Sequence, residues 1–205
     1  MTHISRKTIA RVFLYIRTLD TLIRQKRNLI SSKELARIVG VTDAQIRKDI
    51  SNFARIGRPG IGYNTQELKD TLEEFVLQHN CVKLVLFGVG NLGTAILQYP
   101  GFQKNKIKII AAFEKKEEKI GSVINGVRVY AAKDAPRIIA QKKADIGIIA
   151  VPERASQEVA DMLVLSGLKG IVNFAPTTIA VPRNVMVKDI DFSIEFLSLF
   201  CNACM

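Results

Sequence analysis

Three glycines and one carboxylate offer the most specific chemistry in the chain. Gly88, Gly90 and Gly93 stand in the run Gly88-Val89-Gly90-Asn91-Leu92-Gly93, and Glu114 follows about twenty residues later, the separation a dinucleotide site uses. There the first glycine makes a tight turn, the second lets the backbone approach a pyrophosphate, and the third allows helix and strand to pack closely. The acid then bonds a ribose hydroxyl. This works only where the glycines join a strand to a helix, because the anion needs the free N–H groups and the dipole of a helix N-terminus. The flanking residues meet that condition. Lys83 to Phe87 reads as a strand, Thr94 to Gln98 as a helix, and Ile107 to Phe113 as a second strand ending on Glu114. Lys115 follows the acid and joins it in the expected site.

A second chemistry is electrostatic. The net charge is +11, and residues 1–63 hold 13 Lys and Arg against 4 Asp and Glu, so nearly all the excess lies in the first third. Such a concentration marks a polyanion binder, usually of nucleic acid. The elements that would carry it are helical. Ile9, Val12, Phe13, Ile16, Leu19 and Ile23 give an amphipathic helix from Ser5 to about Arg27. Ser31 with Glu34, and Thr42 with Gln45, have capping-box spacing on either side of Gly40. They predict a short helix buried through Leu35, Ile38 and Val39, then a third helix to about Arg55.

In that third helix Ile46, Ile50 and Phe53 face inward. Gln45, Lys48, Ser51, Asn52 and Arg55 face outward, with Arg47 at the margin. This is a helix-turn-helix pattern, whose last helix enters a major groove and reads base edges with such side chains. Gly57-Arg58-Pro59-Gly60-Ile61-Gly62-Tyr63 then reads as a tight hairpin, the wing of a winged helix, with Arg58 at its tip facing a minor groove.

A connecting helix from Thr65 to His79 leads into the glycine region. Beyond Glu114, strands are expected at Val127 to Tyr130, Ile146 to Val151, Gly170 to Phe174 and Val185 to Ile190. Helices from Lys133 to Lys142 and Arg154 to Ser166 separate them. Apolar strands alternating with helices imply a parallel sheet covered on both faces, with ligands outside the carboxyl ends of the strands. That position adds Val151, Pro152 and Asn173 to the expected site, Asn173 through its amide. Asp191 caps a last helix from Phe192 to about Cys201 whose Phe192, Phe196, Leu199 and Phe200 need burial, which a second copy would supply.

Ser32-Lys33-Glu34-Leu35-Ala36, Ala44-Gln45-Ile46-Arg47-Lys48-Asp49, Gly60-Ile61-Gly62-Tyr63, the glycine run, Gly167 through Pro176 and Asp189-Ile190-Asp191-Phe192 together resemble the redox-sensing repressor family Rex, across nearly the whole chain. The resemblance implies an α/β protein in three parts. These are a winged helix-turn-helix DNA-binding domain over residues 1–80, a Rossmann-like parallel-sheet domain over 81–190, and a domain-swapped C-terminal helix over 191–205. It further implies a homodimer that binds operator double-stranded DNA and NADH or NAD⁺, with NADH releasing the DNA. By position, Arg47 and Lys48 would contact the operator, Phe192 the nicotinamide, and Tyr99 the same pocket. Arg17, Tyr99 and Asp191 would form the switch between states. The chain departs from the family pattern at Pro59, where an arginine is usual, and at Glu114, where aspartate is usual.

Two other functions start from the same residues. A dehydrogenase needs a general acid beside the nicotinamide, commonly His or Tyr. His3 and His79 both precede the glycine run and no Tyr-x-x-x-Lys pair occurs, so the residues favour a sensor over an enzyme. A DNA-binding regulator sensing coenzyme A remains the other option, because the fold does not fix its ligand. Three cysteines do not build a disulfide framework, no run reaches membrane-spanning length, and a cytoplasmic protein is expected. Cys201 and Cys204 have C-x-x-C spacing but read as two inert thiols, with no metal site expected.

Overall fold

The structure is a computed structural model describing residues 5–53, 56–57, 61–77, 81–104 and 106–204. Arg58, Pro59 and Gly60 lie outside the described residues, as do Ala54, Arg55, His3 and His79. The chain divides into two compact units, Met1–Asn80 and Cys81–Met205.

The first unit contains α1 (Arg6–Arg24), β1 (Leu29–Ile30), α2 (Ser32–Val39), α3 (Asp43–Ser51), β2 (Tyr63–Asn64) and α4 (Thr65–Leu77). Each early helix starts on a side-chain cap, as expected for the second and third. Ser5, Ser31 and Thr42 accept from the backbone N–H of Thr8, Glu34 and Gln45, and Gly40 closes α2 in the left-handed conformation at φ 78°. Val12, Tyr15, Leu19, Ile30, Leu35, Ile46, Ile50, Leu68 and Leu72 form the core.

Three expectations shift. Ile9 and Phe13 are largely exposed, because Val12, Tyr15, Ile16, Leu19 and Leu22 make the buried stripe of α1 instead. In α2, Ala36 is buried beside Leu35 while Ile38 is half exposed. Helix α3 stops at Ser51, where the N–H groups of Asn52 and Phe53 tighten onto Asp49 and Ile50, and Phe53 turns to meet Phe75 at 4.4 Å. Antiparallel β1 and β2 pair Ile30 with Tyr63, a two-residue ladder too short to show a period in sequence. Gly62, at φ 97°, is required there, because a Cβ would lie 2.5 Å from the Ile30 carbonyl oxygen.

The second unit runs β3 (Val82–Phe87), α5 (Asn91–Leu97), α6 (Gly101–Lys104), β4 (Ile107–Glu114), β5 (Val123–Ile124), β6 (Val127–Ala131), α7 (Ala135–Lys142), β7 (Ile146–Ile149), α8 (Glu153–Leu165), β8 (Gly170–Asn173), β9 (Met186–Asp189) and α9 (Phe192–Cys204). Its sheet has the order β5-β6-β4-β3-β7-β8-β9, parallel except for β5. From β6 to β9 this is the 3-2-1-4-5-6 order of a dinucleotide-binding fold, with the order reversing between β3 and β7. One face buries Phe87, Phe113, Ile138, Ile149 and Leu163, and the other Leu84, Leu86, Val89, Leu97 and Ile148. Both faces are covered, which explains why the strands lack polar alternation.

Helix α9 is different. Phe192, Ile194, Phe196, Leu197, Leu199 and Phe200 are 56–71% exposed, and none of its residues is buried.

Candidate dinucleotide and nucleic-acid sites

The glycine loop follows β3 at the reversal of strand order. Gly88, at φ 91°, packs so tightly on the end of β7 that a Cβ would meet the Ala150 carbonyl oxygen at 2.3 Å, with Val151 beside it. Gly93 lies against the loop itself, 1.9 Å from the Gly88 carbonyl oxygen for an added Cβ. Gly90, by contrast, faces open space with no atom within 4 Å. It also caps α5, which therefore begins three residues earlier than the periodicity suggests. The first bond into that helix runs from the Thr94 N–H to the Gly90 carbonyl, so the N–H groups of Asn91, Leu92 and Gly93 precede it. Two glycines are thus demanded by neighbouring backbone and the third by nothing in the protein. The open side of the loop at Gly90, next to the free N–H groups that start α5, has room for a pyrophosphate.

Glu114 ends β4 beside this loop. One carboxylate oxygen accepts from the Val89 N–H at 2.9 Å, and the other from Lys115 N–H at 2.7 Å and Lys116 N–H at 3.2 Å. Burial works to raise its pKa, but these three N–H donors and the charge of Lys119 outweigh it and hold the carboxyl below its ordinary value. The Lys119 ammonium donates to the Val89 carbonyl. Val89 is therefore engaged at both polar backbone atoms while its side chain is fully buried. The expectation that Val89 itself meets a ligand is corrected: it anchors the loop from beneath. Beyond Glu114 opens a cleft of about 710 Å³ lined by Lys115, Ile120, Ala131, Lys133, Glu158 and Met162 among others. Lys115 there forms an exposed ion pair with Glu158 at 2.8 Å.

In the first unit, the outer side of α3 presents Lys48 and Ser51, both exposed. Lys48 has no ion pair among the described residues, and the Ser51 hydroxyl donates to the Lys48 carbonyl. Arg47 pairs with Asp43 at 2.6 Å and donates to Ser32, both exposed contacts that hold it against the start of its own helix and α2. Tyr63 has its pKa raised by burial, an effect partly offset by the nearby charge of Arg47.

Comparison with known proteins matches both units. The family described as "Putative DNA-binding protein N-terminus" matches residues 3–51, and that described as "CoA binding domain" matches residues 79–177. The redox-sensing transcriptional repressor Rex of Carboxydothermus hydrogenoformans is 39% identical, over 97% of this chain and 96% of its own. That of Roseiflexus sp. is 41% identical, over 89% and 83%. The chain belongs to the Rex family. Among solved structures it is similar to the Rex-family repressor RSP in complex with NAD⁺ and operator DNA, at 33% identity and a TM-score of 0.89 over 99% of this chain and 94% of RSP. Against RSP in complex with NADH the TM-score is 0.86, over 99% and 95%.

Within this Rex-family chain the remaining expected residues fall in three places. Val151 and Pro152 follow β7 at the reversal of strand order, the strand having ended at Ile149, and Pro152 caps α8. Phe192 opens α9 with its ring 6.5 Å from Phe174, just past the carboxyl end of β8 and so at the sheet edge that carries the glycine loop. Asp191 accepts from Ser193 N–H at 2.8 Å, the expected cap. Arg17 projects from α1 into a groove with Leu14, Thr18 and Ile38, and its guanidinium has no partner among the described residues.

Three residues are placed otherwise than expected. Tyr99 packs edge-on against Phe102 in a cleft with Ile107 and Val127, the first residues of β4 and β6. Helix α5 carries it back to the amino edge of the sheet, away from the glycine loop of its own protomer. Asn173 is fully buried and donates both amide hydrogens, to the Thr177 carbonyl and to Asp189, while its oxygen accepts from Ala175 N–H. It fixes the turn between β8 and β9 and has no donor left for a ligand. Gln45 donates its amide to Asp49 at 2.7 Å and so turns partly inward.

That last contact exposes what the sequence reading missed. Asp49, 1% exposed, binds Arg11 through two bonds of 2.6 and 2.8 Å and accepts from the Tyr15 hydroxyl at 2.8 Å. Burial opposes its ionisation, but the bonds from Arg11, Tyr15 and Gln45 hold its pKa below the ordinary value. The same contact raises the pKa of Arg11. The signal was present in the stripe Ile46, Asp49, Ile50, Phe53, a carboxylate among apolar residues on the inward face. Lys119 gave no comparable sign.

Among the described residues no three His, Cys, Asp or Glu side chains are arranged to hold a metal ion. Cys201 and Cys204 are exposed free thiols. No helix among the described residues is long and apolar enough to cross a membrane.

Proposed function

We propose that the chain is a cytoplasmic, non-catalytic, homodimeric repressor that binds operator DNA through α3 and releases it when NADH occupies the glycine loop. The observation that carries the reading is the union, in one chain, of a basic helix-turn-helix unit with a dinucleotide strand order whose glycine loop lies at the reversal of that order, with open space at Gly90. The full-length likeness to RSP, crystallised both with NAD⁺ and operator DNA and with NADH, supports it.

On this reading Gly88 and Gly93 shape the loop, and the N–H groups of Asn91, Leu92 and Gly93 hold the pyrophosphate over Gly90. Glu114 keeps one acceptor position, on the oxygen bound by Val89, for the ribose, and its charge disfavours a 2′-phosphate. Lys115, held by Glu158, does little to offset that charge. Val151 and Pro152 border the nicotinamide end. An apolar Phe192 there favours the neutral reduced ring over the cationic oxidised one. Lys48, Ser51, Arg47 and Arg58 supply the DNA contacts, with Tyr63 supporting them, whereas Gln45 acts through Asp49 and not on a base. Helix α9 leaves six large apolar side chains more than half exposed, roughly 10 kcal/mol of unrealised burial at ~1.5–3 kcal/mol each. A second copy covers it, which supports the swapped helix and the dimer. Arg17, Tyr99 and Asp191 would then act between protomers.

The test is DNA mobility shift of the purified chain, titrated with NADH, NAD⁺ and NADPH. NADH is expected to release the DNA, NAD⁺ to do so less, and NADPH least. DNA binding indifferent to NADH would overturn the proposal. The "CoA binding domain" match favours a second reading with coenzyme A as effector. Displacement of bound NADH fluorescence by coenzyme A at comparable concentration would favour it, and no displacement would exclude it.

A further inference from the structure

We infer that the buried cluster of Asp49, Arg11, Tyr15 and Gln45 is a positioning device that fixes the rotation of α3 on α1, and so decides which side chains of α3 meet the bases. The inference rests on the reading of α3 as the DNA-contacting helix.

Helix α3 spans only Asp43–Ser51, and its fully buried apolar anchors are Ile46 and Ile50. Apolar burial is non-directional, so a short helix held by two such side chains can rotate or slide with little loss of contact. Asp49 lies between them on the same face and removes that freedom. Arg11 and Tyr15 are one helical turn apart on α1, so both reach the same carboxylate. Arg11 engages both of its oxygens, at 2.6 and 2.8 Å, and Tyr15 one of them, at 2.8 Å. A planar guanidinium gripping a carboxylate in two bonds has a set orientation, unlike a methyl group in a core. Thr8 supports the guanidinium from behind at 3.2 Å.

The network also sorts the surface of α3. Gln45, one turn before Asp49, donates to it at 2.7 Å and is drawn off the outer face, leaving Lys48 and Ser51 there. Replacing a buried ion pair by well-packed apolar residues is often neutral or favourable for stability. A role in geometry therefore predicts that stability and sequence discrimination come apart.

The test compares the full-length chain with the double variant Arg11→Met, Asp49→Leu. The probes are a duplex that the unaltered chain selects from a random-sequence pool and a scrambled duplex of equal length. The double variant is expected to stay folded, with melting lowered only by the loss of an acceptor for the buried Tyr15 hydroxyl, to bind NADH equally and to hold the scrambled duplex within about twofold. The selected duplex should weaken by about tenfold or more, the scale of a wrongly read base pair. Equal discrimination by a folded double variant would overturn the inference. If that variant fails to fold, Tyr15→Phe takes its place, expected to lower the same ratio by about threefold, the scale of one net hydrogen bond; an unchanged ratio again overturns it. Lys48→Ala serves as a control. If it alters binding to neither duplex, α3 is not the DNA-contacting helix, and it is that underlying reading that falls.

Discussion

On the proposed reading the glycine loop of the second unit and helix α3 of the first each offer a helix to an anionic ligand, but they are held by different means. The loop is fixed by backbone against backbone: added Cβ atoms at Gly88 and Gly93 would strike carbonyl oxygens at 2.3 and 1.9 Å. Helix α3 is fixed by side chains, its Thr42 cap and the four-residue cluster around Asp49. A site built on backbone geometry tolerates no substitution where atoms already touch, yet accepts one wherever it faces a ligand. A site built on side chains yields gradually and responds to pH.

The largest predicted effect follows from that contrast. Gly93→Ala is expected to abolish dinucleotide binding and lower the melting temperature of the second unit, because the atom an added Cβ would strike is the Gly88 backbone carbonyl, which cannot swing aside. Gly90→Ala should leave melting unchanged, since its Cβ meets no protein atom, while weakening NADH by about tenfold or more through a steric clash with the pyrophosphate. Calorimetry and NADH fluorescence titration of both variants check the pair. Similar behaviour of the two alanines would break the distinction.

Next comes Asp49→Asn, which leaves Arg11 without its counter-charge. A cost of about 2 kcal/mol is expected, below the range for a fully enclosed pair because the Arg11 side chain is 22% exposed. The Asp49 pKa is depressed, so its contribution is complete above the ordinary value of 3.8 and is lost as pH falls through the folded value. Melting of the first unit should therefore drop in acid below pH about 4, and drop less steeply in Asp49→Asn. Identical acid profiles would show that Asp49 does not sense the change.

Smaller still is Lys48→Ala. It should weaken DNA binding almost uniformly across sequences and reduce the salt slope by about 1, as loss of one phosphate contact does. A sequence-dependent loss would make Lys48 a base reader.

What was legible in the sequence follows the same divide. The glycine loop, its strand and its acid could be read because each requirement is local to a few residues. The caps at Ser31 and Thr42 were local too, and the exposed apolar face of α9 was visible as composition. The bond from Arg11 to Asp49 was not, because it joins residues 38 apart in sequence and only the packing of α1 on α3 brings them together. Asn173 was read as a ligand amide because position at a strand end is legible, while the Thr177 and Asp189 partners that consume its hydrogens are not. Tyr99 was placed in the cofactor pocket by resemblance. The length of α5, about 10 Å at 1.5 Å per residue, carries it to the other edge of its sheet.

A chain that couples a dinucleotide site to a DNA site must do so reciprocally. The direct test is the dissociation constant of NADH, read by its fluorescence, with and without a saturating selected duplex. DNA is expected to weaken NADH by the same factor by which NADH weakens DNA, about 5–150-fold for a typical coupling. An NADH affinity unchanged by bound DNA would contradict it.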